Sequence, residues 1–382
     1  MTVKRAKLVI GLLGIMLFLA ACGNLNSSSM SSSGTNGSKG TQLTGQSTDS
    51  NYEGVIENGK YVTSKSRGVS NTQDAGNQLN LKSFEKGLLN VSQQEFSTNK
   101  YAFREGQILT KKVVSNWLAR ESKSNADGLN PKDNGSTSAT KRNPIYLQQL
   151  EEQDYMIQKN NKLSLGGITI GLGINSVDYY KKTQYGATYE TKISKAEAEK
   201  QGKAIANKVL MRLRQYDSLK NVPIVIALYR QASDDSLVGG NFFAYSVNKN
   251  GTTKVKSWEK LNQKSYVFPI ADSQTSPNTN DTTSFDNFKN EVEDFFPNLS
   301  GVTAQAQYTN NQLDGMNVNI TTQFYSQTEI ISFTQFLQTA AQKYLPAKVP
   351  IDIQVSSTEG VQSFLSRSEN GKKFTTHVFN SY

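Results

Sequence analysis

Apolar residues run along this chain at three different spacings, and each spacing predicts a different kind of element. The first is continuous. Leu8 to Leu19 is apolar apart from Gly11 and Gly14, too short for a membrane-spanning helix, which takes roughly 20 residues. From Asn24 to Asn51 the chain turns to Ser, Gly, Asn, Thr and Gln. With almost nothing to bury, residues 22–51 read as a flexible tether with an r.m.s. span of roughly 25–30 Å.

The second spacing is helical. Phe84, Leu88, Leu89 and Val91 share a face within Ser83–Phe96, and Thr110 is placed to cap a helix that turns Val113, Val114, Trp117 and Leu118 inward. Ile145 to Met156, with Pro144 near its start, also predicts a helix. Between these, residues 125–142 form a polar loop. Tyr52 to Val69 reads as a short extended stretch with a turn at Gly59.

The third spacing is two, and it arrives in a repeat. Leu163 to Ile174 alternates as a strand, Ser194 opens a helix running to Gln215, and Val222 to Tyr229 is a buried strand. The same order returns: Leu313 to Tyr325 alternates, Ile330 to Tyr344 is helical, and Val349 to Val355 alternates again. Both copies open their second strand with Val-Pro-Ile, at Val222 and at Val349, where proline interrupts no ladder. The pattern predicts an α+β fold of two related strand-helix-strand repeats with mixed and antiparallel sheets, preceded by N-terminal helical additions. Ala271 to Thr283, rich in Ser, Thr, Asn and Asp, divides them. The organisation is then 1–21 leader, 22–51 tether, 52–270 first repeat with its extension, 271–283 linker and 284–382 second repeat, with Lys373–Phe379 as an edge strand.

Charge sharpens the N-terminus. Lys4, Arg5 and Lys7 precede the apolar block, and Leu19-Ala20-Ala21-Cys22 ends it. A cationic n-region, a short apolar core and small residues at a cut site make a secretory signal. The lipobox Leu19, Ala20, Ala21, Cys22 predicts cleavage before Cys22 by lipoprotein-processing peptidases and acylation of its thiol. Each buried CH₂ of the acyl chains adds about 0.8 kcal/mol, so two chains hold where one binds marginally. Cys22 is the one cysteine in the chain, so no internal disulfide competes for it. The predicted location is the extracytoplasmic face of a cell membrane, with membrane lipid as partner through acylated Cys22. The 42 Lys and Arg against 32 Asp and Glu are spread out, with no basic stripe of the kind a nucleic acid needs.

Chemistry is sparse. Gly54-x4-Gly59-Lys60 lacks the Ser or Thr of a phosphate loop, since Tyr61 stands there, and reads as a turn. Gly166-Gly167 and Gly171-x-Gly173 lie in a strand pattern, where glycine marks a bulge or a close backbone approach. Ser83-x-x-Lys86 matches half of a penicillin-enzyme motif without its Lys-Thr-Gly partner. The sole histidine, His377, sits in the last strand, so a His/Cys zinc site has no ligands. Asp234-Asp235 and Glu291-x-Glu293-Asp294 are carboxylate clusters; the second reads as a solvated helix face. Trp117, Trp258 and 17 tyrosines are core residues or the lining of a groove. No catalytic constellation, cofactor or metal site is recognisable.

Several blocks resemble the CamS family, Gram-positive lipoproteins described as sex pheromone precursors. They are Tyr52-Glu-Gly-Val-Ile-Glu-Asn-Gly-Lys60, Ser64-Lys-Ser-Arg-Gly68, Leu81-Lys-Ser-Phe-Glu-Lys-Gly-Leu-Leu89, Phe96-Ser-Thr98 and Val114-Ser-Asn-Trp-Leu-Ala-Arg120. Gly128-Leu-Asn-Pro131 and Glu152-Gln-Asp-Tyr155 fit as well. The resemblance implies that the signal peptide is trimmed to a short apolar peptide sensed by a pheromone receptor of donor cells. The matching stretch is Ile15, Met16, Leu17, Phe18, Leu19, Ala20 and Ala21. It keeps the apolar heptad and departs at its start, with Ile-Met-Leu-Phe where the family type has Ala-Ile-Phe-Ile. The family implies no agreed activity for the mature part. Two readings of that part stand beside the precursor role: a module binding a peptide or wall fragment in a cleft between the repeats, and a wall-active hydrolase.

Overall fold

The computed structural model describes residues 40–380 apart from 47, 49, 70–77, 160, 161, 272, 273, 276 and 296–300. The chain begins in a small antiparallel sheet of β1 (Thr41–Leu43), β2 (Val55–Glu57) and β3 (Lys60–Tyr61). Asn58 and Gly59 join β2 to β3 with φ of 53° and 75°, the twisted two-residue turn that favours Asn-Gly. This is the turn expected in place of a phosphate loop. β1 lies within the stretch read as tether; Leu43 anchors it against Val55, Ala102 and Met156.

Next come α1 (Gln78–Ser92), β4 (Ala102–Glu105) and α2 (Lys111–Leu118). Thr110 caps α2, accepting from the Val113 amide, as its sequence position predicts. The long strands β5 (Leu147–Lys159) and β6 (Lys162–Ile174) pair antiparallel. Here the structure corrects the sequence: Ile145–Met156 is not a helix. The register shifts between Leu147 and Gln149 and again between Tyr155 and Met156. The first bulge puts Leu147 and Leu150 on one face at a spacing of three, which imitates a helix. A separate hairpin, β7 (Val177–Lys181) and β8 (Thr188–Lys192), leads to α3 (Lys195–Leu213), capped by Ser194. Then follow β9 (Ile224–Arg230), β10 (Asn241–Asn248) and β11 (Glu259–Lys260). The second repeat holds β12 (Gln263–Phe268), α4 (Thr279–Phe295), β13 (Gly301–Thr309), β14 (Gln312–Thr321), α5 (Gln327–Tyr344), β15 (Ile351–Ser357), β16 (Gly360–Arg367) and β17 (Thr375–Val378).

The two large sheets have one topology. The first runs β4-β5-β6-β9-β10-β11 and the second β12-β13-β14-β15-β16-β17. In each, the central pair is parallel, joined through a crossover helix, and every other pair is antiparallel. The Val-Pro-Ile tripeptides are equivalent in space. The Pro223 carbonyl accepts from Ile168 N at 3.1 Å and the Pro350 carbonyl from Met316 N at 3.1 Å. Each proline thus opens the parallel ladder as an acceptor, the role that survives loss of its N–H. The second sheet starts before the polar stretch 271–283, at β12, and α4 begins inside that stretch.

The layers differ. In the first repeat, Ile205, Val209 and Leu213 of α3 pack on Ile168, Ile170, Ile224 and Ile226. Phe84 and Leu88 of α1 cover the opposite face on Val225, Ala227 and Tyr229. In the second repeat both α4 and α5 lie on one face, where Phe285, Phe288, Phe333 and Leu337 meet Val302, Val318 and Ile353. None of the described helices covers its other face.

Candidate functional site

The uncovered face follows from strict alternation. β14 reads Met316-Asn-Val-Asn-Ile-Thr321 and β15 reads Ile351-Asp-Ile-Gln-Val-Ser356. Every second side chain enters the core and the rest point away from it. Counting from the two proline-opened ladders, the first repeat has Thr169, Gly171 and Gly173 opposite Val225, Ala227 and Tyr229. The second has Asn317, Asn319 and Thr321 opposite Asp352, Gln354 and Ser356. A covering helix needs apolar partners and clearance. Gly171 gives the clearance, since a Cβ there would lie 2.5 Å from the Phe84 ring. Amides and hydroxyls in the second repeat offer neither, and burying them under an apolar helix would strand their hydrogen bonds.

Register lines these residues up across the strands. One row is Thr303, Asn319, Gln354, Phe364 and His377. Its neighbour is Gln305, Asn317, Asp352, Ser366 and Thr375. At the free edge, three rings gather: Phe364 to His377 at 5.6 Å, Phe364 to Phe379 at 6.0 Å and His377 to Phe379 at 5.1 Å. Phe364 is 40% exposed and Phe379 45%. Asp352 is the carboxylate of the two rows, and partial burial pushes its pKa up.

The opposite edge has a wall. The loop 231–240 of the first repeat reaches over β13, where Gln305 Nε2 donates to the Leu237 carbonyl at 2.6 Å. Ser265 Oγ donates to Asn241 Oδ1 at 2.8 Å beside it. Asn80 on α1 fixes both ends of this loop. Its Oδ1 accepts from the Ala232 and Gly240 amides, each at 2.9 Å, and its Nδ2 donates to the Ala232 carbonyl at 3.1 Å. The result is a shelf with a polar floor, a wall from the first repeat and an aromatic far end.

A second cluster is buried in the first repeat. Glu152 and Asp154 are 2% and 0% exposed and face the α2 side of β5. Arg104 Nη2 donates to Asp154 Oδ2 at 2.8 Å, while Asp154 Oδ1 has no partner among the fixed donors. Burial, then the neighbouring Asp154 charge, push Glu152 up to about 8. A protonated Glu152 supplies the donor that Asp154 lacks, so one proton satisfies both groups. The Glu152 oxygens also accept from Ile108 N at 2.9 Å and Leu109 N at 2.6 Å, tying the chain before α2 to β5. On the other face, Tyr155 OH donates to Gln153 Oε1 at 2.8 Å and Gln153 Nε2 to Glu151 Oε1 at 2.9 Å. Burial pushes Glu151 up to about 7. Both carboxyls are buried and bonded to neighbouring chain segments, so this pair holds the fold.

The sequence-predicted residues fall in several places. Cys22, the lipobox and the heptad Ile15–Ala21 lie outside the described residues. His377 is an exposed edge-strand residue within the aromatic group. Ser83 bonds to the Leu79 carbonyl at 2.8 Å and to the Tyr229 hydroxyl, as a helix-packing residue. Trp117 is core. Asp234 and Asp235 belong to the shelf's wall loop, and Glu291 and Glu293 take partners in Tyr344 and Lys289. The Val222 strand lines no cleft, because β9 is buried on both faces; the Val349 strand, β15, lines the shelf. A depression of about 400 Å3 beside Gln338, Gln342 and Lys343 lies on the helical side instead. Among the described residues, no group of three or more His, Cys, Asp or Glu is placed to hold a metal, and no helix is long and apolar enough to cross a membrane. The shelf's signal was present in the sequence as the polar half of the β14 and β15 alternation.

A family model described as CamS sex pheromone cAM373 precursor matches residues 61–373. Among solved structures, a sex pheromone precursor from Lactobacillus salivarius subsp. salivarius UCC118 is similar at 55% identity, over 90% of this chain and 100% of that one, with a TM-score of 0.85. The C-terminal domain of the sex pheromone staph-cAM373 precursor from Staphylococcus aureus is similar at 29% identity, over 80% of this chain and 99% of that one, with a TM-score of 0.69. No curated protein matches the chain in sequence.

Proposed function

The chain belongs to the CamS family of sex pheromone precursors, and on that premise we propose that it is an extracytoplasmic lipoprotein whose leader is the source of a short apolar signalling peptide. One observation carries the reading: Leu19-Ala20-Ala21-Cys22 stands directly behind a cationic n-region and a short apolar core. Cleavage before Cys22 divides the chain into two products. The Cys22 side takes acyl chains on its thiol and stays on the outer face of the cell membrane. The leader side holds Ile15 to Ala21, an uncharged heptad that further trimming frees for a receptor on donor cells. The folded part, in this reading, acts by binding and positioning.

Two measurements test this. Cells expressing the protein are fed an alkyne-tagged palmitate; the expected result is label on the membrane-bound protein and its loss in Cys22→Ser. Label that persists in Cys22→Ser overturns the anchor. A synthetic peptide of residues 15–21 is then applied to responsive donor cells. Clumping at nanomolar concentration is expected, and a null response up to about micromolar overturns the peptide role.

A further inference from the structure

We propose that the shelf on the second sheet binds an uncharged glycan chain of the cell wall. The inference goes beyond anchoring, and rests on the extracytoplasmic reading only for the glycan's source.

Charge complementarity selects the occupant. The two rows hold ten side chains without one Lys or Arg, in a chain of formal net charge +10. Exposed surfaces are ordinarily dressed with mixed charges, and an edge strand is ordinarily guarded by them. β17 and the floor beside it have Thr375, His377, Gln354 and Asn319 instead. An anionic polymer or an anionic lipid surface finds no cation here. A second copy of the chain finds no continuous apolar area, because the exposed apolar side chains stand apart, Phe364 and Phe379 at the aromatic end and Leu237 in the wall loop, with the two polar rows between them. What remains is a partner rich in hydroxyls and poor in charge.

The side-chain chemistry matches that partner. Each Asn or Gln amide presents a donor and an acceptor together, as a pyranose hydroxyl does. The rings of Phe364, His377 and Phe379 give an apolar platform for the C–H face of a sugar ring. The row from Thr303 to His377 crosses five strands, about 19 Å at the spacing of neighbouring strands, which is a length for several linked sugars. The internal repeat supplies the control. Its equivalent face is apolar and closed by α1, so the fold does not require a polar open face at this place.

The test titrates the detergent-solubilised full-length protein with N-acetylglucosamine tetrasaccharide, followed by calorimetry and by protein-observed NMR. Saturable binding is expected, with shifts confined to β13–β17 and the 231–240 loop. The Phe364→Ala/Phe379→Ala variant is expected to weaken it at least about tenfold. Asn319→Lys, which leaves the core untouched, is expected to do the same, and Lys182→Ala on the β7–β8 hairpin is expected to leave it unchanged. Absence of saturable binding at about 10 mM overturns the proposal. So does binding that survives both shelf variants, or dimerisation lost on Phe364→Ala. Because binding is read in solution, failure here leaves the anchoring proposal standing, and loss of palmitate labelling leaves this one standing.

Discussion

Glu152 shares a buried site with Asp154 that raises its carboxyl pKa, and that sets a pH dependence for the whole first repeat. Its folded pKa of about 8 stands above the ordinary 4.5. A carboxyl raised on folding contributes stability that is fully present below the unfolded value and is lost as pH rises through the folded one. The protein should therefore lose stability between about pH 5 and pH 8, by an amount on the order of a few kcal/mol. Glu151, raised to about 7, adds in the same direction. Glu152→Gln keeps an acceptor for Ile108 or Leu109 and gives Asp154 Oδ1 a permanent N–H. Thermal melts across that range should show a flatter pH profile for the variant and a higher midpoint than wild type at pH 8; an unchanged slope would remove Glu152 as its source. Asn130 is the other residue whose loss should be expensive. Its Oδ1 accepts from Tyr146 N and Leu147 N, and its Nδ2 donates to the Leu118 and Leu147 carbonyls, all between 2.6 and 2.8 Å and all but the Tyr146 bond fully buried. Asn130→Ala strands several backbone groups at once and should destabilise by about 3 kcal/mol or more in urea titration. Both residues sit in blocks that mark the family resemblance, yet neither role is visible in sequence. A buried acid pair exists only once β5 is a strand, and Asn130 meets its partners only across the turn of the 120–143 loop.

At the level of elements, what the sequence shows clearly is what depends on local period and capping. α2 and α3 start at Thr110 and Ser194 as their caps predict, and the glycines of β6 mark a bulge opposite Tyr155 and the close approach of Phe84. β5 was hidden because the bulge at Gln148 resets its phase and because both its faces are buried, so Glu152 and Gln153 carry a helical composition into a strand. The shelf is visible as an element but not as a site. The polar half of β14 and β15 looks like ordinary solvent exposure until the first repeat shows the same face closed. The wall depends on one side chain. Asn80→Ala leaves the Ala232 and Gly240 amides without their acceptor, so the 231–240 loop should open while the sheet beneath it stays closed. Hydrogen exchange should speed up across 232–240, with β6 and β9 amides unchanged. Equal acceleration in both would show that Asn80 supports the α1 packing rather than the loop. If the loop opens, Gln305 loses the Leu237 carbonyl, and tetrasaccharide affinity should fall with it.

Over the whole molecule, duplication is the organising fact, and it fixes how the chain should unfold. Each repeat has a separate apolar core, one gathered on α3 and α1 and the other on α4 and α5. The described polar links between them are few: Gln305 to Leu237, Ser265 to Asn241, and the Phe242 amide to Gln263 Oε1 at 3.2 Å. Hydrogen bonds of this kind contribute about 1 kcal/mol each, so the three together match the burial of one core side chain such as Phe333 or Ile170. Polar residues in 271–283 open α4, and the two sheets part between β11 and β12, where no compositional change is seen. Weak coupling between two complete cores predicts two urea transitions instead of one. Asn130→Ala should move only the transition reported by Trp117 and Trp258, both of which lie in the first repeat. Phe333→Ala should move the other, followed by amide exchange in β13–β16, by about 3 kcal/mol. A single transition displaced by both substitutions would mean that the wall of the shelf joins the repeats into one cooperative unit, and that the open face is held in shape by the whole chain.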